Sequence, residues 1–348
     1  MKIFIKLISV ISVLAMLLTM LPSCGDDAED ATFLIPTREI SDDAEYTEGN
    51  YRYVLYDDGS AAIIEHTGDE AEIEIPSELN GHKVITIGSG AFYGNQNVTS
   101  VTIPDTVETI GSSAFNGCMK LEYIYIPTTL WEIYPDAFTD TPWLESLKDK
   151  EFVIVGDSVL LEYNGTRSTV VIPNTVKHIS AAFCGNETIK DVTIPDSVFT
   201  IGCAAFASST VSRVEIGNNV VAIGNSAFSS CIELYYVNIP DSVKRIESYA
   251  FVSCSSLNWI RLGKGVEYIG TEAFYRASQF TYIYLPKSLV QKNEDGTYKK
   301  TIADYAFGDC SSLLYVFFEG SEEDFTNLDI TGANADLSDA TKIYNYSY

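Results

Sequence analysis

The chain has 348 residues, with 48 Asp or Glu against 22 Lys or Arg, so its net charge is −26. That balance argues against nucleic acid and against electrostatic docking on an anionic membrane, because both rely on Lys and Arg. The 46% hydrophobic content supplies a core, and three His leave little for a His-rich metal site.

Residues 1–23 read as a secretory signal: Lys2 and Lys6, an apolar stretch from Leu7 to Leu21, then Pro22-Ser23. No basic stop signal follows, which disfavours a transmembrane anchor. Leu21-Pro22-Ser23-Cys24 resembles a bacterial lipobox, with Pro22 an atypical residue at its position. The resemblance implies that Cys24 is lipidated and holds the protein at the bacterial cell surface or outer membrane. The lipid would be the chain's one membrane contact. Residues 24–50 carry nine acids and one base, Arg38, without helix or strand period, and read as an acidic tether.

Residues 51–74 read as an N-terminal β-hairpin cap, two alternating strands around Asp57-Asp58-Gly59-Ser60. From residue 75 to 318 the chain repeats. Ala-Phe occurs nine times, ending at Phe92, Phe115, Phe138, Phe183, Phe206, Phe228, Phe251, Phe274 and Phe307. Most intervals are 22 or 23 residues; the exceptions are 45, before Phe183, and 33, before Phe307. A second column is Pro, at positions such as Pro104, Pro127, Pro195 and Pro240, with Gly217 and Gly263 in the same place. The unit from Leu234 to Phe251 shows the pattern. Val237 and Ile239 alternate inward as a strand, Pro240 ends it, Val243 and Ile246 line a return leg, and Ala250-Phe251 closes the coil. No unit of this size buries its own stripe, whereas stacked units do.

The skeleton L-x-x-[IV]-x-I-P-x-x-V-x-x-I-G-x-x-A-F-x-x-C resembles the BspA-like leucine-rich repeats of bacterial surface proteins. The resemblance implies a repeat solenoid of short parallel strands, turns and short helical or 3-10 segments, with a β-hairpin cap. It also implies adhesion or recognition, by binding host matrix proteins or proteins of other cells. Two places break the period. Residues 146–170 lack Ala-Phe and read as a degenerate hairpin coil around Gly156-Asp157-Ser158; residues 291–300 read as a protruding insertion. Residues 319–348 depart from the repeat and resemble the family's closing cap.

Cys118, Cys231, Cys254 and Cys310 each follow a repeat Phe by three residues. This is a packing column rather than a metal spacing; adjacent coils leave a Cys231–Cys254 bridge as the alternative. The Gly residues after the return-leg Ile (Gly88, Gly111, Gly202, Gly224, Gly270) read as turn glycines. Asp105, Asp196 and Asp241, with Asn174 and Asn218, read as local Asx turns rather than calcium ligands. His178 is expected at the surface. No nucleophile, phosphate-loop, dinucleotide or zinc motif is present, so neither an enzyme nor a cofactor is expected.

The candidate site is aromatic. The outward strand positions read Tyr123/Tyr125, Arg213/Glu215, Tyr236/Asn238, Trp259/Arg261, Tyr282/Tyr284 and Tyr315/Phe317. Tyr236, Trp259, Tyr282 and Tyr315 fall in one column and are expected to stack as a ladder. Such a ladder either stabilises the sheet or offers a protein or glycan ligand large amphipathic surface, with Arg213 and Arg261 adding polar contacts. Glycan capture for a polysaccharide-uptake system and a structural envelope scaffold are the alternative functions.

Overall fold

Alternation around one inward Val or Ile gives each coil a three-residue strand, and the Pro after it cannot donate to a ladder. The chain then turns: Val243 N–H donates to Pro240 O, as Val107 does to Pro104 and Val198 to Pro195. The computed structural model describes residues 40–41, 44–328, 330 and 334–347. The expected signal peptide, the Cys24 lipidation site and most of the tether lie outside the described residues.

Two parallel strand ladders run along the stack. The strand face holds a three-stranded sheet, Glu72–Glu74, Ser100–Thr102 and Tyr123–Tyr125, and an eight-stranded sheet running from Thr169–Val171 to Thr341–Ile343. Two-residue strands such as Thr109–Ile110 and Arg245–Ile246 pair in parallel on the return leg. The N-terminal hairpin is Tyr51–Leu55 against Ala61–His66. Tyr46–Glu48 adds a third antiparallel strand to it, so the segment expected as tether up to residue 50 is already folded there.

The nine repeat Phe are buried, and their rings stack face to face in two runs. Neighbouring centroids are 4.8 and 5.5 Å apart from Phe92 to Phe138, and 4.8 to 5.2 Å apart from Phe183 to Phe307. Within each run the backbone of a Phe is tied to the next coil, with Phe228 N–H donating to Ala250 O at 2.7 Å and Phe251 N–H to Ala273 O at 2.7 Å. This bond identifies the Phe position where the sequence hides it. His66 N–H donates to Ala91 O, and the His66 ring stacks on Phe92 at 5.0 Å. Tyr163 N–H donates to Ala182 O, and its ring packs on Phe183 at 5.1 Å. At the far end the Asn334 side-chain oxygen accepts from Phe307 N–H at 2.9 Å, replacing the missing coil's carbonyl.

The residues two before and two after the repeat Phe adopt positive φ in nearly every coil, including Tyr249 at 61° and Arg276 at 60°. The glycines after the return-leg Ile do not have positive φ. Each opens the turn expected there, with Ala91 N–H donating to Gly88 O and Ala114 N–H to Gly111 O, and closeness to the neighbouring coil is what requires glycine. A Cβ on Gly111 would lie 2.4 Å from Ser89 N, and one on Gly202 would lie 2.6 Å from Ile179 O.

The degenerate coil is an antiparallel hairpin, Phe152–Val155 with Val159–Tyr163. It lies between two hydrophobic clusters, one reaching from Tyr53 to Leu161 and the other from Leu160 to Ala340. The 291–300 insertion is a short turn closed by a Lys292–Tyr298 bridge. The closing segment places a helix, Glu322–Thr326, behind a Ser321/Asp324 capping box, and adds Thr341–Ile343 in parallel to Tyr315–Phe318.

Candidate functional site

Strand alternation turns the candidate aromatic residues outward, and the parallel register decides which of them meet. Tyr236 lies opposite Trp259, and their rings stack 4.7 Å apart at 4°. Arg213, opposite Tyr236, places its guanidinium 5.9 Å from the Tyr236 ring while holding Glu215 at 2.6 Å. Arg261 bonds Asn238 at 3.3 Å and Asp241 at 3.5 Å.

The expected ladder of four ends at Trp259. Beyond it the pairing thins to a single pair, Arg261 with Tyr284, and Tyr282 turns its edge toward Tyr284 and Phe317. Tyr284, Phe317 and Tyr346 form a second cluster, with Tyr284–Phe317 at 5.0 Å and Phe317–Tyr346 at 4.9 Å. Tyr315 stays 45% exposed beside it. Tyr346 was outside the sequence reading because it belongs to the cap; its outward neighbours in the repeat carried no signal for it. Tyr123 and Tyr125 are exposed but lie in the other strand-face sheet, apart from both clusters. The site is therefore three patches rather than one stripe.

The remaining expected features fall into place locally. The Cys231 and Cys254 thiols are free, and donate to Phe206 O at 3.0 Å and Phe228 O at 3.1 Å, the carbonyls of the preceding coil. Cys118 does the same to Phe92 O. Burial pushes the Cys118 thiol up to about 11 and Cys231 up to about 12, so neither is a nucleophile at neutral pH. His178 is not at the surface as expected. It is half-buried, its Nδ1 is 2.8 Å from Thr200 Oγ1, and burial lowers its pKa to about 4, with Lys177 adding to the effect. Asp196 and Asp241 accept from the next coil, from Asn218 N–H at 2.7 Å and Lys264 N–H at 3.0 Å, so they tie coils together rather than making local Asx turns. Glu132 is the carboxyl sequence reading missed. It accepts from Cys203 N–H at 3.4 Å, and burial pushes it up to about 7. An open groove of about 530 Å³, lined by Ser253, Ser255, Arg276 and Asp309 among others, crosses the turns after the Phe column. Among the described residues no three His, Cys, Asp or Glu cluster as metal ligands would.

Residues 71–186 and 179–311 match the BspA type Leucine rich repeat region, in six copies. The chain belongs to that family. Among solved structures it is similar to a leucine rich cell surface protein of Faecalibacterium prausnitzii, at 23% identity and a TM-score of 0.33, covering 88% of this chain and 96% of that one. A Bacteroides ovatus leucine-rich repeat protein is 23% identical with a TM-score of 0.36, covering 83% and 71%. The pneumococcal vaccine antigen PcpA is 15% identical with a TM-score of 0.45, covering 87% and 99%. Among curated proteins none matches.

Proposed function

We propose that this BspA-type repeat protein is a non-enzymatic, lipid-anchored recognition protein of the bacterial cell surface, adhering to host or partner-cell proteins through its strand face. Membership of the family and the export-type N-terminus support the surface location. The observation that carries the binding reading is the Tyr236–Trp259 stack with Arg213 against it. Large, rigid aromatic area beside guanidinium groups is what protein-binding hot spots use.

The test is binding to immobilised matrix proteins and to a glycan array, before and after Trp259→Ala with Tyr236→Ala. Loss of protein binding by tenfold or more supports adhesion, since hot-spot truncations cost about 2 kcal/mol or more. Loss of glycan binding instead supports glycan capture, and no binding in either screen leaves a scaffold. The anchor has its own test: if Cys24→Ser leaves the protein with the membrane fraction, lipidation at Cys24 is wrong.

A further inference from the structure

The turns after Phe251, Phe274 and Phe307 differ from those after Phe92 and Phe115. Two side chains of each turn face out, two and four residues beyond the Phe. The first of these positions holds Gly94 and Gly117 in the early coils, but Ser253, Arg276 and Asp309 here. The second holds Gln96 and Met119 in the early coils, but Ser255, Ser278 and Ser311 here. These two columns line the open groove of about 530 Å³, with the exposed Ile232 of the preceding coil beside them. That volume lies within the range of small-ligand clefts.

One wall is held by its own bonds. The Tyr275 hydroxyl donates to the Asp309 carboxylate, and Arg276 Nε lies 3.5 Å from Asp309 Oδ2. The Arg276 guanidinium sits 5.1 Å from the centre of the Tyr275 ring. Tyr305, 47% exposed, meets Tyr275 edge-on at 6.5 Å. The other wall is a row of hydroxyls. Serines elsewhere in the array spend theirs on backbone, as Ser212 does on Lys190 O and Ser242 on Val220 O. Among the described residues the Ser255, Ser278 and Ser311 hydroxyls make no such bond. The main chain of the turns is already engaged. Ser253 N–H donates to Tyr275 O, Arg276 N–H to Gly308 O, Cys254 N–H to Phe251 O and Ser255 N–H to Ser253 O. No continuous run of backbone donors is left for an extended peptide to pair with.

Spacing, side-chain type and charge together set the class of ligand. The groove's polar groups repeat with the coil, 5.1 to 5.2 Å along the Phe stack from Phe228 to Phe307. A peptide strand advances about 3.3 Å per residue and falls out of step with that period. A linear β-1,4-linked polysaccharide advances by close to one coil spacing per sugar and stays in step. The planar guanidinium and carboxylate offer paired donors and paired acceptors, which suit neighbouring hydroxyls on one ring. The Tyr305 ring offers an apolar face with a polar tip, which suits the C–H side of a sugar. Charge excludes an acidic chain. Arg276 is offset by Asp309, and it also opposes the burial that raises the nearby Glu272 carboxyl, so two acids face one base in a molecule of net charge −26.

We propose that this groove is a glycan site that takes a neutral, linear, extended polysaccharide along the stack, one sugar per coil. Arg276 and Asp309 bond the hydroxyls of one sugar, and the Ser255, Ser278 and Ser311 row bonds those of successive sugars. The groove lies on the turns, apart from the Tyr236–Trp259 patch, and stands or falls without it.

The probes are the β-1,4-linked hexasaccharides of glucose, mannose and N-acetylglucosamine, titrated into the full chain by isothermal calorimetry. The controls are maltohexaose, whose α-1,4 linkage coils the chain, and hexagalacturonate, which is anionic. At least one of the three probes is expected to bind the wild type. Its affinity should fall tenfold or more in Arg276→Ala and in Ser311→Leu, which fills the groove from the opposite wall. Both side chains are exposed, so an unchanged melting temperature is expected and shows that the variants are folded. Trp259→Ala with Tyr236→Ala should leave the affinity unchanged. Failure of all three probes to bind, or equal affinity in both groove variants, would overturn the proposal. So would loss of binding in the Trp259/Tyr236 variant instead, which would move the sugar to the strand face, or tighter binding of either control.

Discussion

His66 does the work of a repeat Phe at the first coil, and an imidazole is a poorer filler than a phenyl ring. Its Nδ1 is buried without a hydrogen-bond partner and its Nε2 lies 3.5 Å from Glu70. Burial lowers its pKa, outweighing the opposing pull of Glu70. The neutral form is therefore the folded form, and its stabilising share is present above pH 6.5 and lost as pH falls through the lowered folded value. His66→Phe is expected to raise stability by about 1 kcal/mol by removing the unpaired nitrogen, and to flatten this acid limb. Thermal melts of both proteins between pH 7 and pH 4 check it. The glycines allow an equally direct comparison. Gly111→Ala drives a methyl group into the Ser89 backbone and is expected to cost about 1–3 kcal/mol or more. Gly94→Ala, at φ 67° with open space around it, costs only the left-handed conformation, about 1–2 kcal/mol. Gly111→Ala is expected to lose more than Gly94→Ala in urea titration, and an equal or smaller loss would contradict the close-approach reading. The turn at each of these glycines is legible in one unit, but the close approach to the neighbouring coil is not, and for the same reason His66 does not read as a Phe equivalent.

At the scale of one coil, what was legible was whatever recurs. The inward Val and Ile, the Pro stop, the Ala-Phe pair and the Cys column all follow from phasing one unit on the next, and the hairpin around Gly156 was visible as alternation. What a single unit cannot show is the bond to the coil beside it. The Cys thiols donate to the preceding Phe carbonyl, and the Asp side chains accept from the following backbone. Cys231 and Cys254 are expected to remain thiols under oxidising conditions, because both S–H groups are buried and bonded. Mass spectrometry after alkylation in denaturant would show a two-dalton deficit on the peptide pair if they were bridged. The aromatic column failed for a related reason: equal positions guarantee adjacency only while the ladder holds, and it thins after Trp259.

Across the whole array, cooperativity should follow contact between neighbouring coils. The Phe stack runs from His66 to Phe138, ends edge-on against Trp143, and restarts at Tyr163. Both ladders and the hydrophobic clusters break in the same stretch. The coils before residue 140 are thus expected to open at lower free energy than those after 170, giving two exchange-protection levels in hydrogen-exchange mass spectrometry. Phe251→Ala, which leaves a hole in the longer run, should cost about 3–5 kcal/mol and lower protection from 170 onward first. A single protection level throughout would show that the interruption transmits fully.

The closing Asn334 amide has a consequence for size. It ends the array by imitating one carbonyl of one further coil, and the first coil is met by a His in the same imitative role. Both ends therefore accept any number of units between them. Duplicating the 23 residues after Phe228 would lengthen the molecule by one ring spacing, 5.1 Å, with each terminus still matched to its neighbour. The length of the array thereby becomes a quantity that can be set by counting.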